Sequence, residues 1–262
     1  MSTGLQSRAQ ATPAVPELPS VQLSGVTHSY GNPAGTPLTV LEDLSLSVQE
    51  RQMLAVVGPS GCGKTTLLEL ICGLQQPDTG TISSQPAALM PQRDLLLPWF
   101  SALDNAALAL RLAGASRAQA RQRAGKLFTE LGLGGFERTP PHELSGGMRQ
   151  RVAFLRTLLS GKAVLCLDEP FGALDAITRL HMQRWLIDAL RHQPRTVVLV
   201  THDVEEAILL ADRVVVLSPR PGRLLEQFQV TIERPRVHTD PRVVELRERA
   251  MRALSLGAQT VS

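Results

Sequence analysis

The stretch that most limits how this chain can fold is GPSGCGKTT, residues 58–66, set between an apolar run, MLAVV (53–57), and a helix-forming one, LLELICGL (67–74). Strand, glycine-rich loop and helix in that order form a cradle in which backbone N–H groups converge on an anion at the positive end of the helix. Gly58, Pro59, Ser60, Gly61, Cys62, Gly63, Lys64, Thr65 and Thr66 make up the loop. Lys64 has the reach for β- and γ-phosphates, and the Thr65 hydroxyl is placed to ligate magnesium. A chance glycine-rich turn would need neither flanking element, so the loop reads as a site for ATP or GTP.

Three more continuous apolar runs of strand length follow: AVLCL (163–167), TVVLV (196–200) and RVVVL (213–217). Such runs suit parallel strands covered on both faces by helices. MLAVV, AVLCL and TVVLV each lead into glycine-rich or polar residues, at the strand ends where open α/β sheets bind ligands. Upstream, residues 21–48 alternate, with Leu44, Leu46 and Val48 on one face, as in a half-buried antiparallel sheet. Residues 99–160 read as a mostly helical subdomain inserted into the sheet domain. Near the end, DPRVVELRERAMRALSLG (240–257) predicts a surface helix with Val244, Leu246, Met251 and Leu254 toward the core and Gly257 as its stop. Residues 1–19, rich in Ala, Pro and Ser, read as a flexible tail. The expected division is a tail (1–19), a main domain (20–234) and a helical extension (235–262).

At 262 residues, 43% hydrophobic and 19% charged, the chain can bury a proper core. Its formal charge of +3 is too mild to imply a nucleic-acid partner. Three cysteines, Cys62, Cys72 and Cys166, lack the spacing of a disulfide framework or zinc site and point to a reducing compartment. With no signal-peptide core and no apolar run near the roughly 20 residues that span a bilayer, a cytosolic chain is expected.

AVLCLDEP (163–170) ends a strand in two carboxylates. Asp168 is suited to hold magnesium and Glu169 to polarise an attacking water; after a phosphate loop, a merely solvated turn is the weaker reading. TVVLVTHDVEEA (196–207) delivers His202 to another strand end, where an imidazole could orient water and sense the γ-phosphate. Cys62 reads first as a small residue that the loop tolerates; because a thiol beside a helix N-terminus generally has a lowered pKa, the second reading is that alkylation would inhibit hydrolysis and ATP would protect.

ELSGGMRQR (143–151) sets Ser145 and a glycine pair before a basic amphipathic helix, with Met148, Val152, Leu155 and Leu159 on its apolar face. No strand feeds a sharp turn at Ser145, so a hydrolase nucleophile is excluded. LSGGMRQ resembles the signature motif of the nucleotide-binding subunits of ABC transporters, with Met148 where glutamine is common. The resemblance extends over nearly the whole chain after the tail and implies the ABC ATPase fold: a phosphate-loop NTPase with a mixed, largely parallel sheet, an N-terminal antiparallel β-subdomain and an inserted helical subdomain. It implies that Ser145, Gly146, Gly147, Gln150 and Asp175 bind ATP held by a second copy. It further implies that Gln92 ligates magnesium and faces the membrane subunit and that Tyr30 stacks on adenine; LLLPWF (95–100), an apolar stretch next to Gln92, reads as part of a permease dock or, for some of its residues, equally as core. The segment before Gln92 is shorter than usual for the family, which implies a trimmed β-hairpin.

The function implied is ATP hydrolysis in a nucleotide-sandwich homodimer, bound peripherally at the cytoplasmic face of the membrane to separate permease subunits. A solute-binding protein would supply the cargo. FGALDAITRLHMQRWL (171–186) is similar to the importer branch for nitrate, taurine and other sulfonates, with relatives that serve pyrimidine precursors of thiamine. The rival is a soluble ABC ATPase of DNA repair or translation; it would carry a second ATPase half or a long coiled coil. A GTPase would need an Asn-Lys-x-Asp element, which is absent.

Overall fold

Strands at the centre of the molecule divide their side chains between two cores. In the computed structural model, which describes residues 19–31 and 35–259, β3 (Met53–Val57) runs parallel to β7 (Thr196–Thr201) on one side and to β8 (Arg213–Leu217) on the other. β6 (Val164–Asp168) pairs with β7, and β5 (Ala87–Met90) edges the sheet beside β6, all in parallel. β9 (Leu224–Gln229) closes the other edge antiparallel to β8, giving the order β5-β6-β7-β3-β8-β9. Because successive strand residues point to opposite faces, Leu54 and Val56 enter one core while Met53, Ala55 and Val57 enter the other. Each face is covered, which is why these strands read as unbroken apolar runs. All but Pro19 of the expected tail lies outside the described residues.

One core is closed by α1 (Lys64–Ile71) and a three-stranded antiparallel sheet of β2 (Leu38–Val48), β1 (Val21–Tyr30) and β4 (Thr79–Ser84). Leu44, Leu46 and Val48 are buried there as their alternation requires. Between β4 and β5 only Gln85 and Pro86 intervene, so the chain passes straight from the antiparallel sheet into the edge of the parallel one. That two-residue passage occupies the short segment expected to hold a trimmed hairpin.

The helical insertion comprises α2 (Ala102–Leu112), α3 (Arg117–Glu130) and α4 (Gly146–Leu158). Serines begin each helix: the hydroxyls of Ser101, Ser116 and Ser145 accept from the backbone N–H three residues on, and Ser116 and Gln119 form a reciprocal capping box. Phe128 and Phe154, both buried, anchor α3 and α4 in the second core. α5 (Ala176–His192) and α6 (Val204–Leu210) cover the same face.

α7 (Pro241–Gln259) packs on α6 and on the β8–β9 edge. Two expectations fail here. Met251 is half exposed, and the inward face consists instead of Val243, Leu246, Ala250, Ala253 and Leu254. Gly257 does not stop the helix, which runs on to Gln259. It lies where a Cβ would collide with the side chain of Leu225, so it admits close packing against β9.

Candidate active site

The phosphate loop links the end of β3 to the start of α1. Gly63, the residue before the helix, has φ of 102°, and a Cβ there would press on Val40 and Leu41. Lys64 is buried across the loop, its Nζ donating to the carbonyls of Gly58 (2.7 Å) and Pro59 (3.0 Å). The first turn of α1 holds no acidic residue, which leaves its positive end to an external anion. Pro59, Ser60, Gly61 and Thr65 are exposed along this rim, while Gly58 and Thr66 lie inside.

Beside the loop, the Thr65 hydroxyl donates to Asp168 Oδ2 over 2.7 Å. Asp168, 3% exposed, ends β6; burial pushes its carboxyl up, Glu169 adds to this, and Thr65 and Lys64 oppose it. Glu169 takes up a left-handed backbone conformation, φ 46°, unusual for a residue with a side chain. Its backbone N–H donates to Val200 O (2.9 Å), and its carbonyl accepts from Gly172 N (3.1 Å). Both carboxylate oxygens are engaged: His202 Nδ1 lies 3.1 Å from Oε1, and Gln92 Nε2 donates to Oε2 over 3.2 Å. Strained backbone held by several partners is typical of residues whose direction matters chemically.

A hydroxyl, a carboxylate and an amide are hard oxygen donors of the kind magnesium prefers. Among the described residues no cluster of three or more His, Cys, Asp or Glu could cage an ion unaided. The site therefore fits a cation that arrives with phosphate oxygens completing its shell.

Ser145, Gly146 and Gly147 begin α4, with Ser145 and Gly146 exposed. Gly146 opens onto a cavity of about 350 Å³ whose lining includes Gln92, Asp94 and Gln150 and no phosphate-loop residue. Arg149 Nε donates to Asp94 Oδ2 (2.9 Å), and Arg156 donates to the carbonyls of Asp94 (2.8 Å) and Leu95 (2.9 Å). Asp175 caps α5 by accepting from Ile177 and Thr178, and it stays exposed. Tyr30 reaches α1 through its hydroxyl, 3.2 Å from Thr66 Oγ1, which brings the ring beside the loop.

Two expected site residues lie deeper in the chain than their sequence context suggests. Gln150, expected to face a second copy's ATP, is 5% exposed and turned inward, its Nε2 donating to Glu169 O (3.0 Å) and its Oε1 accepting from Ala173 N (3.1 Å). One N–H and one lone pair of the amide are thus engaged within its own chain, which turns Gln150 toward the Glu169 loop. Cys62 is fully buried, and burial pushes its thiol up, outweighing the lowering by Lys64 and the loop backbone. Burial and the raised pKa both oppose the reactivity expected of this thiol.

Sequence reasoning also passed over Glu206 and Arg179, which with Glu169 and His202 line a small cavity of about 50 Å³. Of LLLPWF, Leu96 belongs to the core while Leu95 and Trp99 stand 60% and 73% exposed.

A phosphate loop, strand-end acids and a histidine on a largely parallel sheet with a helical insertion define an ATP-hydrolysing cassette. The chain belongs to the ABC transporter family, whose sequence profile matches residues 41–172. It is similar to the aliphatic sulfonates import ATP-binding protein SsuB 1 of Rhodococcus jostii, 43% identical, with 90% of this chain and 94% of the relative covered. It is also similar to the formylaminopyrimidine import ATP-binding protein ThiZ of Halalkalibacterium halodurans, 44% identical over 73% of this chain and 78% of the relative. Among solved structures, the dimeric ATP-binding cassette MJ0796 in a post-hydrolysis state with ADP and Pi matches with a TM-score of 0.75. The two are 26% identical, and the match covers 81% of this chain and 100% of that one.

Proposed function

We propose that this chain hydrolyses ATP as one of a pair of copies that sandwich the nucleotide and drive an importer through separate permease subunits. The reading rests above all on Glu169: a strained carboxylate at a strand end, held through both oxygens by His202 and Gln92, next to the Thr65–Asp168 pair. Lys64 exchanges its loop carbonyls for phosphate oxygens, Glu169 takes the proton of the attacking water, and His202 fixes the direction of that carboxylate. Thr65, Asp168 and Gln92 would hold the magnesium ion that comes with ATP, which neutralises phosphate charge. Ser145 with the amides of Gly146 and Gly147 is exposed at a helix start and suited to grip the γ-phosphate on the other copy, with Asp175 near the seam. Tyr30 supplies the face on which adenine stacks.

Among the described residues no helix is long and apolar enough to cross a membrane. The subunit would sit peripherally at the cytoplasmic face, with Leu95 and Trp99 meeting the permease and a binding protein delivering the cargo. The names of the two relatives support aliphatic sulfonates or a formylaminopyrimidine as the cargo, and the importer branch that the sequence resembles adds taurine and nitrate. Division of the chain into a cassette over 20–234 and a C-terminal helical extension is part of the same proposal.

Glu169→Gln tests the reading. Losing the base should lower turnover by about a hundredfold to ten-thousandfold while ATP still binds, and light scattering should show monomer becoming dimer on adding Mg-ATP. Unchanged turnover would refute the assignment of the base, and a monomer with ATP bound would refute the sandwich.

A further inference from the structure

We propose that Gln150 is a positioning residue that carries the state of the turn Ser145–Gly147 to the attacking-water base of the same chain. It sits five residues beyond Ser145, about 7.5 Å along the axis of α4. Its amide joins two points on one loop, donating to the carbonyl of Glu169 (3.0 Å) and accepting from the N–H of Ala173 (3.1 Å). The peptide it grips is the one whose left-handed conformation aims the Glu169 carboxylate. Ala173 lies two residues before Asp175, so the same amide steadies the segment leading to the expected seam between copies.

The neighbours of Gln150 on α4 give the link its leverage. Arg149 ties the helix to Asp94 and Arg151 ties it to the carbonyl of Leu131 (2.8 Å). Val152, Ala153, Phe154 and Leu155 bury the rest of the turn in the core. A helix held in this way moves as a body, and a displacement at its N-terminus reaches Glu169 through the buried Gln150 amide. The inference rests on the reading that Ser145–Gly147 meets a partner's nucleotide. It adds that each copy's base is set in place by the contact its own α4 makes across the seam.

The test uses the full chain, with turnover, ATP affinity and dimer formation measured separately. Gln150→Met keeps the length of the side chain and removes both hydrogen bonds. Gln150→Glu keeps the acceptor for Ala173 N and sets a carboxylate oxygen against the Glu169 carbonyl. Both variants should lose roughly tenfold to a hundredfold in kcat, as a misplaced reacting group does, with KM for ATP within about threefold. Turnover of Gln150→Glu should recover relative to wild type as pH falls, because a protonated carboxyl can again donate to the carbonyl; a merely structural role would not produce that recovery. In the Glu169→Gln background, Gln150→Met should still dimerise on ATP. Wild-type kcat in both variants would overturn the proposal, and so would loss of that dimerisation, which would make Gln150 a residue of the partner's site. Ser145→Arg in the same background tests the underlying reading alone: if it still dimerises on ATP, the trans contact is wrong whatever Gln150 does.

Discussion

His202 Nδ1 stands 3.1 Å from Glu169 Oε1 although the two residues follow different strands, and this pairing holds the carboxylate from one side while Gln92 holds it from the other. His202 is mostly exposed whereas Glu169 is mostly buried, so the histidine can follow a phosphate without losing its hold on the carboxylate. His202→Ala should reduce kcat about tenfold to a thousandfold and leave ATP affinity within a few fold. Steady-state hydrolysis with nucleotide titration decides it; wild-type turnover would remove His202 from the site.

Asp104 fastens the helical insertion. Its carboxylate, 5% exposed, accepts from Arg121 Nε and Nη2 (2.7 Å each) and from Arg117 Nη2 (2.9 Å). The Arg121 hydrogen bond, against the opposing effect of burial and helped by Arg117, holds its pKa at about 2 rather than 3.8. A depressed acid contributes stability that is complete above its unfolded pKa and disappears as pH falls through the folded value. Asp104→Asn should therefore destabilise the chain by about 1–2 kcal/mol at pH 7, with partly exposed arginines limiting the effect. The gap between variant and wild type should close between pH 4 and pH 2. Denaturant melts across that range check it, and a gap independent of pH would disprove the ion-pair account.

Much of this was legible because its signals are local. Val197–Val200 and Val214–Leu217 are apolar at every position because both faces of their sheet are covered, and GPSGCGKTT carries its strand and helix with it. What escaped depended on contacts between distant segments. Gln150 shares a buried face with Ala153, Phe154 and Thr157, three, four and seven residues on; that phase was visible, but its partner Glu169 lies beyond a strand. Cys62 was judged by the helix end beside it, whereas its burial in the core under the antiparallel sheet reverses the shift. Met251 was placed inward because it is apolar, while small residues, Ala250 and Gly257, let α7 approach the sheet.

Cys62 should accordingly resist modification. With the thiol fully buried and its pKa raised, the reactive thiolate is scarce at neutral pH and the reagent has no path to it. Iodoacetamide at pH 7.5 should label Cys62 in the native chain at least about a hundredfold more slowly than in the unfolded chain, where the thiol regains its ordinary pKa and exposure. Peptide mass spectrometry resolves the sites. Rapid labelling of folded protein would show that the loop opens readily.

Trp99 and Leu95 stand out from a rigid base. Asn105 clamps the segment by accepting from Leu97 N (2.8 Å) and donating to the carbonyls of Leu97 and Phe100, so exposure of the indole is not explained by a loose loop. Two large apolar side chains held outward beside Gln92 suit a partner surface. Trp99→Ala should leave the ATPase activity of the isolated subunit within about twofold and reduce its stimulation by the permease at least about tenfold, the size expected for an aromatic anchor. Reconstituted transport assays measure both, and full stimulation in the variant would defeat the docking role.

Glu206 offers a test of the buried space beside Glu169. It is 6% exposed, and burial, reinforced by Asp203 and opposed by Arg179 and Thr201, pushes its pKa from 4.5 up to about 7. Between those values the folded chain holds a proton that the unfolded chain has released, so stability is greatest below pH 4.5 and is lost as pH rises through 7. The change amounts to about 2–3 kcal/mol over the window. Glu206→Gln, neutral throughout, should lack that slope and gain on wild type as pH rises from 5 to 8. Unfolding measured at both pH values decides the matter. A wild-type chain that instead gains on the variant toward pH 8 would mean that Arg179 holds Glu206 as a closed ion pair.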